Sequence, residues 1–184
     1  MTICSAPNLF FGIGFPLSRL SSLNSPGSEN AGQVSGACND VIDAGDGGGY
    51  FYGADGDDIL RGGVGKDVII GGLGNDLLSG GNDTSDDYFT FSGYFGRDTI
   101  TDMHPRGTGY DVIDLTGFSG ADRIYTDNFY NRVSWEWFDN QGSSGGYYEL
   151  KVHAANGDLF GTIDINFASF QDFNVVFFLS NPPA

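Results

Sequence analysis

At 184 residues the chain is long enough for one domain, or two small ones sharing a core. Its 24 acidic residues against 8 basic ones give a formal charge of −16, which excludes a non-specific nucleic-acid binder and speaks against anionic membranes. No apolar run reaches the roughly 20 residues that a membrane-spanning helix needs.

Residues 1–34 carry Pro7, Pro16 and Pro26, a serine-rich run from Ser18 to Ser28 and an apolar patch from Leu9 to Phe15. They hold no clean repeat and read as an irregular segment that caps whatever follows. Met1-Thr2-Ile3-Cys4 lacks the basic start of a Sec signal, and the first positive charge, Arg19, comes after the apolar stretch. Cys4 and Cys38 are the two cysteines. A disulfide between them would pin this segment to the next one; two unpaired thiols are the other reading.

Residues 35–91 change character. Three nine-residue blocks stand end to end: Gly53-Ala54-Asp55-Gly56-Asp57-Asp58-Ile59-Leu60-Arg61, Gly62-Gly63-Val64-Gly65-Lys66-Asp67-Val68-Ile69-Ile70 and Gly71-Gly72-Leu73-Gly74-Asn75-Asp76-Leu77-Leu78-Ser79. Each follows G-G-x-G-x-D-x-U-x, with U a large apolar residue, the nonapeptide of a calcium-binding parallel β-roll. Six residues make a turn and three a short strand. Glycines permit turn angles closed to other residues and leave carbonyl oxygens uncovered. The sixth-position aspartate adds a hard anionic oxygen, and calcium takes six to eight oxygens. The eighth residue points inward, so Leu60, Ile69 and Leu78 are expected to stack as a narrow core. A flexible Gly/Asp-rich linker would not need an apolar residue at every ninth position.

The register continues imperfectly on both sides. Ser35 to Asp43 places Asp40 in the aspartate slot and Ile42 in the apolar slot. Ala44 to Tyr52 has Phe51 in the apolar slot but Gly49 where aspartate belongs. Gly80-Gly81 opens another turn, and two inserted residues precede Asp87, Phe89 and Phe91.

Over about residues 35–116 the chain resembles the RTX (repeats-in-toxin) family. Phe95 to Asp102 and Asp111 to Leu115 are similar to the stretch that follows the roll in serralysin-type proteases and in the R-modules of alginate epimerases. The resemblance implies an all-β fold, a parallel β-roll with a β-rich C-terminal cap. It also implies calcium between each turn and the turn two repeats later. One turn would give its second and fourth carbonyls and its aspartate; the other would give its first and third carbonyls and its aspartate. One site would then use Gly36, Cys38 and Asp40 with Gly53, Asp55 and Asp58. A second would use Ala54, Gly56 and Asp58 with Gly71, Leu73 and Asp76. On the opposite edge Gly63, Gly65 and Asp67 would meet Gly80, Asn82 and Asp87. A fourth, from Gly45 and Gly47 with Gly62, Val64 and Asp67, lacks one carboxylate and would be weaker. About three or four calcium ions are expected, with Asp58 the roll aspartate flanked by a carboxylate on both sides.

Acid crowds the turns at Asp55, Asp57, Asp58, Asp83, Asp86 and Asp87, so folding should be coupled to the cation. Exposed modular calcium sites have dissociation constants of roughly 10⁻⁴–10⁻³ M, which points to an extracellular or cell-surface protein. The resemblance implies export by a type I route reading an uncleaved C-terminal segment. Phe170 to Leu179 resembles such an end, while the Asn-Pro-Pro-Ala tail departs from it.

Residues 92–184 read as the β-rich cap. Tyr147 to Ala154 alternates, with Tyr148, Leu150, Val152 and Ala154 on one face. Asn156-Gly157 signals a hairpin turn, and Leu159, Gly161, Ile163 and Ile165 share a face of the returning strand. Val133 to Trp137 gives another strand, and Phe167 to Leu179 one helical turn before a last strand. The histidines, His104 and His153, sit in no H-E-x-x-H motif, and no G-x-S-x-G elbow occurs.

Two outward faces are expected on the roll. Val41, Asp43, Ile59, Arg61, Leu77 and Ser79 form one, and Tyr50, Tyr52, Val68, Ile70, Tyr88 and Thr90 the other. The second is apolar enough to be covered by the chain's own termini, by another subunit or by a glycan. The functional expectation is a non-enzymatic extracellular calcium-binding structural or assembly component, a homo-oligomer or part of a larger assembly. The alternative is a polysaccharide-binding module.

Overall fold

The computed structural model describes residues 30–33, 37–104, 109–139, 146–167 and 176–179. Nine short strands come first: β1 (Asn30–Gln33), β2 (Val41–Asp43), β3 (Gly49–Asp55), β4 (Ile59–Arg61), β5 (Val68–Leu73), β6 (Leu77–Ser79), β7 (Tyr88–Thr90), β8 (Gly96–Ile100) and β9 (Val112–Asp114). A one-turn helix α1 (Phe129–Arg132) precedes β10 (Val133–Asp139), β11 (Gly146–His153), β12 (Leu159–Phe167) and β13 (Val176–Phe178).

The strands deal alternately into two sheets, as a nine-residue coil requires. One runs β1-β3-β5-β7-β9-β13 and the other β2-β4-β6-β8-β12-β11-β10. Every pairing up to β9 is parallel, with Val41 beside Ile59 and Ile59 beside Leu77 in one sheet, and Tyr50 beside Val68 in the other. This is the all-β parallel roll expected from the repeat. Residues 30–33, expected to be irregular, instead add a parallel strand to β3, since a sheet edge offers free backbone groups to any extended segment. The ladders also run past residue 91: β6 pairs with β8, and β7 with β9.

The core is a stack of single inward residues from each rung. Ile42, Leu60, Leu78 and Ile100 from one sheet meet Phe51, Ile69, Phe89 and Ile113 from the other, all essentially buried. Each such side chain contributes about 1.5–3 kcal/mol. Outward residues alternate with them as expected, Tyr50 and Val41 being exposed and Tyr52, Val68 and Ile70 half-buried.

The cap continues the second sheet. Hairpin β11–β12 turns at Asn156-Gly157, with Gly157 at φ 93°, and β12 lies parallel to β8. Phe118, Ile124, Leu150, Val152, Ile163 and Ile165 merge with the roll core into one cluster. Leu159 corrects the alternation expected for β12. A register shift at Val152/His153 turns Leu159 to solvent, 46% exposed, and buries Phe160. The helical turn expected within 167–179 lies largely outside the described residues; β13 is the last strand described.

Candidate calcium sites

The repeat aspartates form two ladders, one on each edge of the roll. Each carboxylate spends Oδ1 on the backbone N–H of the corresponding residue one rung earlier in the same sheet. On one edge Asp40 donates to Asp58 at 2.8 Å, Asp58 to Asp76 at 2.8 Å and Asp76 to Asp98 at 2.9 Å. On the other Gly49 donates to Asp67 at 2.7 Å, Asp67 to Asp87 at 2.9 Å and Asp87 to Asp111 at 3.2 Å.

The second oxygen is the informative one. Oδ2 of Asp58, Asp67, Asp76, Asp87 and Asp98 is buried and has no hydrogen-bond partner. In a protein interior such an atom costs about 1–3 kcal/mol, and more when charged. Its surroundings show what it faces. A Cβ built on Gly53 would strike Asp58 Oδ2 and the Gly71 carbonyl oxygen, and one on Gly62 would strike Asp67 Oδ2 and the Gly80 carbonyl oxygen. Gly71 stands in the same way against Asp76 Oδ2, and Gly80 against Asp87 Oδ2. The first glycine of each of these four turns is thus needed for space. It leaves a cradle beside a carboxylate oxygen, and at Gly53 and Gly62 also beside a carbonyl of the next turn in that sheet.

The other carbonyls implied by the resemblance also face neighbouring turns. Those of Gly45, Ala54 and Gly63 abut Gly63, Gly72 and Gly81, while those of Cys38 and Gly56 abut Gly56 and Gly74. Carbonyls of Leu73 and Val64 accept the N–H of Gly56 (2.8 Å) and Gly47 (2.5 Å), each keeping a lone pair. Gly65 donates to Asp83 Oδ2 at 2.6 Å, so the insertion after Gly81 closes on the turn below without breaking the ladder to Asp87. Asn82 is exposed, with Oδ1 3.3 Å from His104 Nε2. Asp55 is exposed and pairs with Leu73 and Ala37. Gly36 and Cys4 lie outside the described residues; Cys38 is disulfide-bonded.

Burial pushes the Asp58, Asp67 and Asp76 carboxyls up to about 6, Asp87 to about 8 and Asp98 to about 9; backbone N–H donors oppose this and neighbouring aspartates add to it. Unassisted, Asp87 and Asp98 hold protons at neutral pH, while Asp58, Asp67 and Asp76 ionise there against a burial cost. A dication would remove that cost, and hard carboxylate and carbonyl oxygens are the donors calcium takes. No three His, Cys, Asp or Glu side chains cluster among the described residues; in the arrangement the resemblance implies, backbone carbonyls supply most of the oxygens.

Two ladder members escaped sequence reasoning. Asp98 and Asp111 stand 22 and 24 residues from their partners, beyond the strict spacing of 18. The usable signal was Asp-x-Ile, in Asp98-Thr99-Ile100 and Asp111-Val112-Ile113. They correct the standing of Asp58, since Asp76 and Asp87 are likewise flanked by carboxylates on both sides. Asp111 ends its ladder differently: its Oδ2 accepts the His104 N–H at 2.7 Å.

Fold and ladders together define a parallel β-roll of the calcium-binding kind. Residues 52–85 match the family model of the RTX calcium-binding nonapeptide repeat, in four copies, which is the segment of strictest register. Among solved structures, an R subunit of the mannuronan C5-epimerase of Azotobacter vinelandii is similar over 83% of this chain and 83% of its own, at 25% identity and a TM-score of 0.54. A second R subunit of the same enzyme aligns over 86% of this chain and 98% of its own, at 22% identity and a TM-score of 0.48. Comparison with curated proteins finds no match.

Proposed function

We propose that this chain is a non-enzymatic calcium-binding β-roll that works outside the cell and sets its fold only where calcium is abundant. The observation that carries the reading is the row of five buried Oδ2 atoms without partners, four of them, on Asp58, Asp67, Asp76 and Asp87, beside a glycine cradle. Bound calcium would neutralise these carboxylates and tie each turn to the turn two repeats on. The residues holding it would be the pairs Asp40/Asp58, Asp58/Asp76 and Asp67/Asp87 with their turn carbonyls, and Asp76/Asp98 by the same ladder geometry. The role is structural, as a surface or assembly component. Half-buried Val68 beside exposed Tyr50 offers an outer face for assembly.

Size-exclusion chromatography with circular dichroism, in calcium and in EDTA, tests this. A calcium-dependent gain of β-structure with a shift to a larger species supports it. No spectral response up to about 10 mM calcium, beyond the range of extracellular modules, would refute it. A second reading, a polysaccharide-binding module, is supported by the likeness to an R subunit of an epimerase named for mannuronan. The charge of −16 weighs against an acidic polymer.

A further inference from the structure

A groove of about 260 Å³ opens where the strict repeat ends. Tyr52, Ile70 and Thr90 of β3, β5 and β7 line it, with Leu73 at the head of one turn and Ser92 and Tyr94 in the next turn of the same edge. Its origin is an insertion. Six residues lead from Ile70 to Asp76, but eight lead from Thr90 to Asp98. The aspartate spacing accordingly rises from 20 to 22 across this turn. The longer turn stands away from the roll at Gly93, where an added Cβ would meet nothing within 4 Å.

The lining has a definite chemistry. None of its residues is charged. Tyr94 is 59% exposed, yet its ring is held edge-on by Phe160, with centroids 5.2 Å apart and planes at 73°. Tyr52 is half-buried beside Ile70. The groove therefore offers aromatic rings together with the hydroxyls of Thr90, Ser92, Tyr52 and Tyr94. A pyranose ring presents the complement: an apolar face of C–H groups and a rim of hydroxyls that both donate and accept. The volume lies below the roughly 300–1,000 Å³ of drug-sized pockets, the scale of one or two sugar rings. A strongly acidic protein with no cation in the groove disfavours a uronate.

We propose that this groove binds a neutral glycan, with Tyr94 and Tyr52 as stacking platforms, and that the site forms only when the turns at Asp76 and Asp98 are drawn together. This rests on the calcium reading above, because Leu73 and Tyr94 belong to two turns linked through the Asp76 N–H and Asp98. Coupling is reciprocal, so a bound neutral glycan lowers the calcium concentration needed to fold the roll.

The test uses the full chain with cellohexaose and mannohexaose as neutral probes and an oligomannuronate of equal length as the acidic one, in 10 mM calcium and in EDTA. Calorimetry should show a neutral probe binding in calcium only, with no binding of the uronate. Tyr94→Ala and Tyr52→Ala should each weaken binding by up to about tenfold, the scale of an aromatic stacking contact. Ser92→Trp, which fills the groove from an exposed position, should abolish it. All three variants should keep the calcium-induced circular dichroism change. If the spectrum responds to calcium and neither neutral probe binds, the groove proposal is overturned and the calcium reading stands. Stronger binding of the uronate, or unchanged binding by all three variants, also overturns it. Equal binding in EDTA overturns the coupling. No spectral response to calcium overturns the calcium reading and this proposal together.

Discussion

Roll and cap share one sheet and one core yet handle charge in opposite ways. In the cap, charges close on each other. Arg97 reaches Asp164 through two bonds, 2.8 and 3.1 Å, and Glu149 at 2.9 Å, while Lys151 meets Glu149 at 2.6 Å. Buried Arg132 donates to the carbonyls of His153 at 2.6 Å and Asp122 at 3.0 Å. In the roll, five buried carboxylates each leave an oxygen unmatched. These cap charges complete one another, whereas the ladder carboxylates, up to Asp98 where β8 joins roll to cap, keep an oxygen that a cation would complete. A core one residue deep per rung cannot offset the ordering of so many glycines.

Chelation should expose that contrast most strongly. In EDTA, hydrogen exchange across residues 40–90 should approach the unprotected rate. Residues 146–165 should stay protected, and near-ultraviolet signals from Trp135 and Trp137 should persist. Equal loss in both regions would show that they fold as one unit.

Single ligands come next. Loss of a mere outer-shell partner of a metal ligand costs about 10–100-fold in affinity, so Asp76→Asn, which removes a carboxylate flanked by Asp58 and Asp98, should raise the calcium midpoint at least that much. Asp40→Asn, at the end of its ladder, should do less. Equal shifts in a calcium titration would break the idea of coupled ladders.

Acidity should act with opposite sign in the two metal states. The roll carboxyls have folded-state values raised above the unfolded 3.8, to about 6 at Asp58 and about 9 at Asp98. The metal-free fold then binds more protons than the unfolded chain. Its stability is greatest in acid and falls as pH rises through 6 to 9. In EDTA, β-structure should therefore increase from pH 8 to pH 5. In calcium the same change should weaken the roll, since protons compete for the ligands. Circular dichroism at both pH values reads this directly.

Smaller effects separate the regions further. Arg132→Met should destabilise the cap by about 2 kcal/mol, the scale of lost hydrogen bonds from a charged donor, equally with and without calcium. Ala54→Gly should stabilise the roll by about 1 kcal/mol. Ala54, at φ 85°, is the one non-glycine in the left-handed region among the described residues, and its Cβ carries that strain. Thermal melts of each variant in calcium decide both.

The strict repeats were legible because their information is local. A nine-residue coil fixes turn, strand and inward residue within one block, so Leu60, Ile69 and Leu78 could be placed in the core and Asp58, Asp67 and Asp76 on its edges from the sequence alone. Legibility faded where insertions accumulated. The aspartate spacing grows from 18 to 20, 22 and 24 along the roll, and a fixed period loses Asp98 and Asp111 even though the ladders continue. Alternation likewise misplaced Leu159, because a register shift depends on the partner strand.

By itself the sequence determined a calcium-binding β-roll, its narrow core and most of its carboxylate ladder, since each follows from steric and coordination demands repeated every nine residues. Tertiary structure alone decided which carboxylate oxygens are left without partners, how far the ladders extend and that the cap prolongs one sheet. It also decided that a lengthened turn opens an aromatic groove. These depend on how turns close on one another in space, and beyond the strict repeats the contacts join residues 20 to 67 positions apart, off the eighteen-residue period of the chain.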